Sequence, residues 1–152
     1  MRARRIAIAL GLASSVLWAP IGAEAAGIST ITIVVSFAPG SIETFTTTGG
    51  LLCPSGTATT DGFAAGGGSK GNGVLTYHLV KTLTCENGDG TFKLLVDAAR
   101  SPNSGGTVGG FAAGQGTGDF VGLHGGGSLQ GTSFPDGSGI TDLYRGHLTI
   151  AP

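Results

Sequence analysis

The stretch GQGTGDFVGLHGGGSLQG, residues 114–131, has eight glycines among its eighteen residues. Four large apolar side chains are interspersed with them: Phe120, Val121, Leu123 and Leu129. Glycine lets a strand bend sharply or approach a neighbouring backbone closely, and a small barrel needs both at its corners. We therefore predict that the chain runs through this stretch as a bent strand, starting at Phe120, in a closed antiparallel sheet.

Three other glycine-rich structures fit the stretch less well. A dinucleotide-binding turn needs a third glycine at a fixed spacing and a helix after it, but Asp119, Phe120 and Val121 follow Gly118. No Lys-Ser or Lys-Thr pair completes a phosphate-binding loop. Calcium-binding glycine-aspartate repeats require stacked copies, and only one copy is present. The sequence therefore predicts no cofactor and no metal.

Much of the remaining chain also has the pattern of strands. Glycine and threonine are abundant and helix-forming runs are scarce, which argues against a helical domain. Residues 28–37 and 74–85 alternate apolar and polar side chains, as half-buried strands do. Residues 42–52 predict a weaker strand that bends at Gly49 and Gly50.

The second of these strands is predicted to form a hairpin. Asn87 and Gly88 favour a tight turn, and residues 91–99 then return with a second alternating pattern. The alternation predicts that Leu75, Tyr77, Leu79 and Leu83 share one face of the first strand and that Phe92, Leu94, Val96 and Ala98 share one face of the second.

Residues 55–73 are rich in glycine and serine, and we expect a long mobile connection with a short strand near residues 57–63. Three further short apolar segments follow residue 106, separated by glycine-rich turns. Seven or eight short strands without helices predict an all-β barrel or sandwich, and we favour an antiparallel eight-stranded barrel.

The amino-terminal residues have the three parts of a secretory signal. A basic start, MRARR, precedes an apolar run over residues 6–18 and the sequence AEA at residues 23–25. The apolar run of 13 residues is shorter than a membrane-spanning helix requires. We predict a signal peptide over residues 1–25 and a single exported domain over residues 26–152, periplasmic or extracellular.

Charge and cysteine content narrow the possible functions. After residue 25 the chain has five basic and eight acidic residues, a net charge of −3, and the basic residues are scattered. Nucleic-acid binding needs clustered lysine and arginine, so that function is not expected. In an oxidising compartment Cys53 and Cys85 are predicted to form a disulfide, and two separate buried thiols are the alternative.

Two segments resemble one known superfamily. The sequence GTGDFVGLHGGGSL, residues 116–129, resembles the glycine- and phenylalanine-containing segment of the allene oxide cyclase and dirigent proteins. The sequence DLYRGHLTI, residues 142–150, resembles their last strand. The resemblance implies a small eight-stranded barrel. It also implies either an isomerase that cyclises a reactive fatty-acid epoxide or a protein that steers radical coupling, and it carries over no catalytic residue.

Four residues are candidates for lining a cavity: Glu43, Tyr77, Asp142 and Tyr144. Paired carboxylates inside a barrel are suited to acid–base chemistry because burial raises one pKa. Ordinary burial statistics nevertheless favour surface positions for the two acids and packed positions with a solvated hydroxyl for the two tyrosines. The three histidines lack metal-ligand spacing and are expected at the surface, and Ser128 lacks the context of a hydrolase nucleophile.

The favoured function is the binding of a small apolar molecule, or of a partner, by an exported glycine-rich barrel. An isomerase or cyclase acting inside the barrel is the first alternative, and a structural secreted protein is the second. The interior distinguishes them: a packed interior contradicts binding and catalysis, whereas an open cavity with a buried carboxylate or tyrosine favours an enzyme.

Overall fold

The computed structural model describes residues 27–67, 73–100 and 106–152, so the predicted signal peptide lies outside the described residues. These residues form a closed eight-stranded antiparallel barrel, as predicted, and neighbours in sequence are neighbours in the sheet. The strands are β1 (Ser29–Phe37), β2 (Glu43–Thr48), β3 (Ser55–Gly67), β4 (Leu75–Cys85), β5 (Thr91–Arg100), β6 (Gly106–Gly114), β7 (Leu123–Ser133) and β8 (Ile140–Ile150).

The pairing of the first and last strands closes the sheet. Strand β1 pairs antiparallel with β8 from Ser29, opposite Leu148, to Phe37, opposite Ile140. Closure gives every strand a neighbour on both sides, but β2 pairs only with residues 55–58 of β3, so residues 59–67 are paired on the β4 side alone.

Alternating residues fill the interior. Ile31, Ile33 and Val35 of β1 are buried, and the intervening side chains are more exposed. Strand β5 buries its predicted face of Phe92, Leu94, Val96 and Ala98. The strand period of two therefore assigned these two faces correctly.

Three aromatic rings pack at one end of the barrel. The ring centroids of Phe45 and Phe92 are 6.0 Å apart, those of Phe92 and Phe120 are 5.3 Å apart, and both pairs meet edge to face. Phe120 belongs to a short 3-10 turn, Gly118–Phe120, and β7 begins at Leu123. The expectation that Phe120 starts the strand was wrong, because the positive φ angles of Gly118 and Gly122 turn the chain on both sides of it.

The two cysteines cross-link the same end. Cys53 lies in the connection after β2, Cys85 ends β4, and their Cα atoms are 5.9 Å apart in a disulfide. The predicted pairing is therefore present in the structure. Closing a loop of this length stabilises a fold by about 3 to 4 kcal/mol on the chain-entropy model.

Strand β3 corrects the expectation of a mobile connection over residues 55–73. It is an ordered strand from Ser55 to Gly67 that pairs with β4 from Gly56 onward, with a bulge at Asp61. Its side chains alternate poorly, so the sequence carries little strand signal. Backbone hydrogen bonds order it instead, to β4 from Gly56 onward and to β2 over residues 55–58. Residues 68–72 lie outside the described residues.

Gly127 shows why the opening stretch needs glycine. It lies between Phe111 of β6 and Gly146 of β8 in the register. A Cβ atom at Gly127 would be 2.0 Å from the carbonyl oxygen of Arg145, so any side chain would push β7 away from β8. Close strand approach, as expected for a bent wall, therefore fixes glycine here.

Candidate functional site

A cavity of about 480 Å³ occupies the end of the barrel opposite the aromatic rings. It lies where β1 and β5 end and where β6 and β8 begin. Most of its wall is apolar, and four charged side chains also line it. The lining residues are Val35, Phe37, Glu43, Thr60, Phe63, Tyr77, Leu79, Lys81, Ala98, Arg100, Thr107, Leu129, Ile140 and Asp142.

A buried ion pair crosses one side of this cavity. Lys81 of β4 is only 5% exposed and donates a hydrogen bond from Nζ to Oε1 of Glu43 on β2. Its Nζ also lies 3.3 Å from the hydroxyl oxygen of Thr60 on β3, the strand between them. A charge this deeply buried is tolerated only when it is paired and hydrogen-bonded, and Lys81 is both.

A second polar group comes from β8. The hydroxyl of Tyr144 donates a hydrogen bond of 3.5 Å to Oδ2 of Asp142. The Tyr144 ring is fully buried and packs edge to face on Phe111 at a centroid distance of 5.4 Å. The packed ring therefore holds the hydroxyl below the carboxyl group that lines the cavity.

Glycine also makes room for this carboxyl group. Strand β7 places Gly131 opposite Asp142, and a Cβ atom at Gly131 would be 2.6 Å from Oδ1 of that residue. The Asp142 side chain therefore lies over Gly131, where a larger residue would collide with it.

Burial raises the pKa of the Asp142 carboxyl group above its usual value. The positive charge of Lys81 opposes this shift, and the negative charge of Glu43 adds to it. Burial also raises the pKa of Tyr144, so its hydroxyl keeps its proton and acts as a donor. Because the folded protein holds the Asp142 proton more tightly than the unfolded chain, ionisation of this group lowers stability as the pH rises through the raised pKa.

The structure brings the four candidate residues to one region. Glu43, Tyr77 and Asp142 line the cavity, and Tyr144 lies beneath Asp142. The burial statistics, which favoured the surface for both acids, gave the wrong location. Each acid lies on the inner face of its strand, where Lys81 or Tyr144 supplies a hydrogen bond that offsets part of the cost of burial. The Tyr144 hydroxyl, expected to be solvated, is buried.

Lys81 and Arg100 also line the cavity, and the sequence analysis did not select them. The sequence contained a signal for Lys81. It is the one charged residue in the alternating face formed by Leu75, Tyr77, Leu79 and Leu83, so the strand period places it inside the barrel. A charged residue on the inner face of a strand predicts a partner on a neighbouring strand.

The three histidines lie outside the barrel on three different strands. His78 contacts the Asp97 carboxylate, His124 lies 2.8 Å from the Gly122 carbonyl oxygen, and His147 lies 3.2 Å from the Thr30 hydroxyl. Within residues 27–67, 73–100 and 106–152, no three histidine, cysteine or acidic side chains are grouped to hold a metal ion.

Comparison of the chain with protein-family models, with curated proteins and with solved structures finds no match. In the part of the chain that the structure describes, no helix is long and apolar enough to cross a bilayer. The barrel and its cavity are therefore the basis for assigning a function.

We predict that Lys81→Met destabilises the protein by about 3 kcal/mol at pH 7, because Glu43 then remains buried without its cation. The double variant Lys81→Met with Glu43→Gln should recover most of that loss. Glu43→Gln alone should cost less than Lys81→Met, because the charge of Asp142 still acts on Lys81. Urea unfolding measures all three variants.

The matched control is Lys93→Met, on the strand next to β4. Lys93 lies on the outer side of β5, so its replacement should change stability by no more than about 0.5 kcal/mol. Equal stability of Lys81→Met and the wild-type protein would contradict a paired, buried lysine.

Proposed function

We propose that the protein binds a small amphipathic molecule in the open end of the barrel. The observation that carries the proposal is a cavity with a mostly apolar wall and a small set of converging polar groups. Ligand pockets generally combine these features, with apolar surface supplying affinity and polar groups fixing orientation.

The polar groups support a functional role because stability alone does not require them. A buried ion pair is often no more stabilising than well-packed apolar residues of similar volume. At the opposite end of the barrel, packed apolar rings fill the interior instead of an ion pair: those of Phe45, Phe92 and Phe120. Charged residues inside one end only are therefore better explained by a ligand than by folding.

The mouth of the cavity also has exposed apolar surface. Phe37 and Ile140 pair across β1 and β8, and Phe63 lies on β3 with its ring 5.8 Å from that of Tyr77. Phe63 is 63% exposed although it lines the cavity. A bound molecule with an apolar portion near the mouth would cover these side chains, and their burial would contribute to affinity.

The proposal also covers where the protein acts and what it descends from: an exported location and the allene oxide cyclase and dirigent superfamily. The disulfide is consistent with an exported protein, since disulfides persist mainly in oxidising compartments. A closed eight-stranded barrel is consistent with descent from the allene oxide cyclase and dirigent superfamily. An open cavity favours ligand binding or catalysis over a purely structural role.

We predict that Ala98→Phe abolishes binding of the neutral fluorescent probe N-phenyl-1-naphthylamine, because Ala98 lines the cavity and a phenyl ring would fill it. Titration of the wild-type protein should give a saturable rise in fluorescence with a blue shift. The control is Ala112→Phe, an exposed position on the outer face of β6, which should bind as the wild type does.

Circular dichroism establishes that both variants fold. Loss of probe binding in both variants, or in neither, would contradict binding inside the barrel.

An isomerase or cyclase is the second candidate, and the state of Asp142 favours it. Burial raises the pKa of this carboxyl group above its usual value, which makes it a stronger proton acceptor than an exposed aspartate. Tyr144 fixes its orientation from below. The residues are thus suited to moving a proton to or from a molecule held in an apolar cavity.

We expect an enzyme of this kind to incorporate solvent deuterium into a metabolite when it is incubated with a small-molecule extract in D2O. Mass spectrometry would detect the labelled molecule. The label should be absent with Asp142→Asn and present with Asp97→Asn, which changes an exposed acid on the outer face of β5. Equal labelling by the wild-type protein and Asp142→Asn would contradict proton transfer by Asp142.

A further inference from the structure

Charge pairing inside the cavity is incomplete. Two carboxyl groups, from Glu43 and Asp142, line the cavity together with the buried ammonium group of Lys81 and the half-buried guanidinium group of Arg100 near the mouth. Glu43 takes that ammonium in a direct ion pair. Among the described residues Asp142 has only the Tyr144 hydroxyl as a hydrogen-bond partner, at 3.5 Å.

We propose that Asp142 binds the ammonium group of an amphipathic amine whose apolar portion lies against the cavity wall. The inference rests on the proposed ligand-binding function and names the chemical class of the ligand. An organic cation supplies the charge that the Asp142 carboxylate lacks, and charge-assisted hydrogen bonds are about twice as strong as neutral ones.

The surroundings of Asp142 leave space for such a group. Its neighbours in the sheet are Val35 on β1 and Gly131 on β7, neither of which has a polar side chain. Thr107 of β6 lies beside Gly131. Asp142 therefore lines the cavity with Oδ1 over Gly131, and among the described residues its hydrogen-bond partner is the Tyr144 hydroxyl alone.

The two cations of the cavity wall, Lys81 and Arg100, are less suited to bind the buried part of an anionic ligand. Lys81 is already bonded to Glu43 and to Thr60, so an anion would have to displace a buried ion pair. Arg100 is half-buried at the end of β5, near the mouth. It is positioned to meet the solvent-facing part of a ligand, whereas Asp142 meets the part that enters the barrel.

The pH dependence follows from the charge of Asp142. Alkyl amines stay protonated below about pH 9, since their pKa is close to that of lysine. Lowering the pH through the raised pKa of Asp142 protonates the carboxyl group and removes the charge that the ammonium needs. Amine affinity should therefore fall with decreasing pH, by as much as tenfold per pH unit below that pKa. Glu43 and Lys81 face the same space, and Tyr144 stays neutral.

Three probes test the inference. Octylamine, 1-octanol and octanoate each have eight carbons and differ in the charge of the polar group. Isothermal titration calorimetry at pH 8 should give an affinity for octylamine at least tenfold higher than for 1-octanol, and octanoate should bind most weakly. As the pH is lowered from 8 through the raised pKa of Asp142, the preference for the amine should shrink, while the affinity for 1-octanol should stay constant.

Two variants separate the site from the general charge of the protein. Asp142→Asn should lower octylamine affinity at least tenfold and leave 1-octanol within threefold of the wild type. Asp97→Asn removes the same charge from an exposed position outside the barrel, where the Asp97 side chain is 80% exposed. It should leave both affinities unchanged.

The outcomes separate this inference from the proposed function. Equal binding of all three probes, or tightest binding of octanoate, overturns the amine as the ligand class and leaves ligand binding in the barrel intact. No binding of any probe, together with no binding of N-phenyl-1-naphthylamine, overturns both. Equal losses of octylamine affinity in Asp142→Asn and Asp97→Asn also overturn the role of Asp142.

Discussion

Closure of the sheet limits the interior of this protein to the space that one layer of side chains from each wall can fill. An eight-stranded barrel is just wide enough for inward side chains to meet, so their sizes decide whether a given level is packed or hollow. At one end, the rings of Phe45, Phe92 and Phe120 meet and leave a packed core. At the other end, smaller inward residues such as Ala98 and Thr107 leave a cavity of about 480 Å³.

The chemistry of the cavity depends on this packing. The apolar wall makes it costly in free energy to bury a charge, and two arrangements in the cavity reduce that cost. Glu43 and Lys81 neutralise each other across β3. Asp142 has no bonded cation, and burial instead raises its pKa. In the function we propose, the same apolar wall that holds an amphipathic ligand leaves one carboxyl group to bind the ligand's cation.

Most of the architecture was predictable from the sequence because alternation and turn residues are local signals. The inner faces of β1 and β5 and the hairpin at Asn87 and Gly88 followed from them. Strand β3 was predictable only as a short strand near residues 57–63, since most of its order comes from hydrogen bonds to β2 and β4 rather than from its own pattern. A local signal also could not show that Phe120 turns inward from a 3-10 turn.

The site was predictable in part, for a related reason. Glu43, Tyr77, Asp142 and Tyr144 were selected as residue types able to act inside a barrel, but their grouping depends on closure between β1 and β8. The inward position of Lys81 was predictable from the alternation along β4, where it is the one charged residue on the inner face. Its partner could not be predicted, because Glu43 lies 38 residues away along the chain and two strands away round the barrel.

The division of the barrel into a packed end and an open end is the central claim, and methyl NMR under xenon pressure tests it most directly. Xenon enters apolar cavities and shifts the resonances of the methyl groups that it touches. The account predicts saturable shifts for Val35, Leu79 and Leu129, which line the cavity, and none for Ile31, Leu83 and Leu148 in the packed core. Shifts spread evenly over both groups, or absent from both, would contradict it.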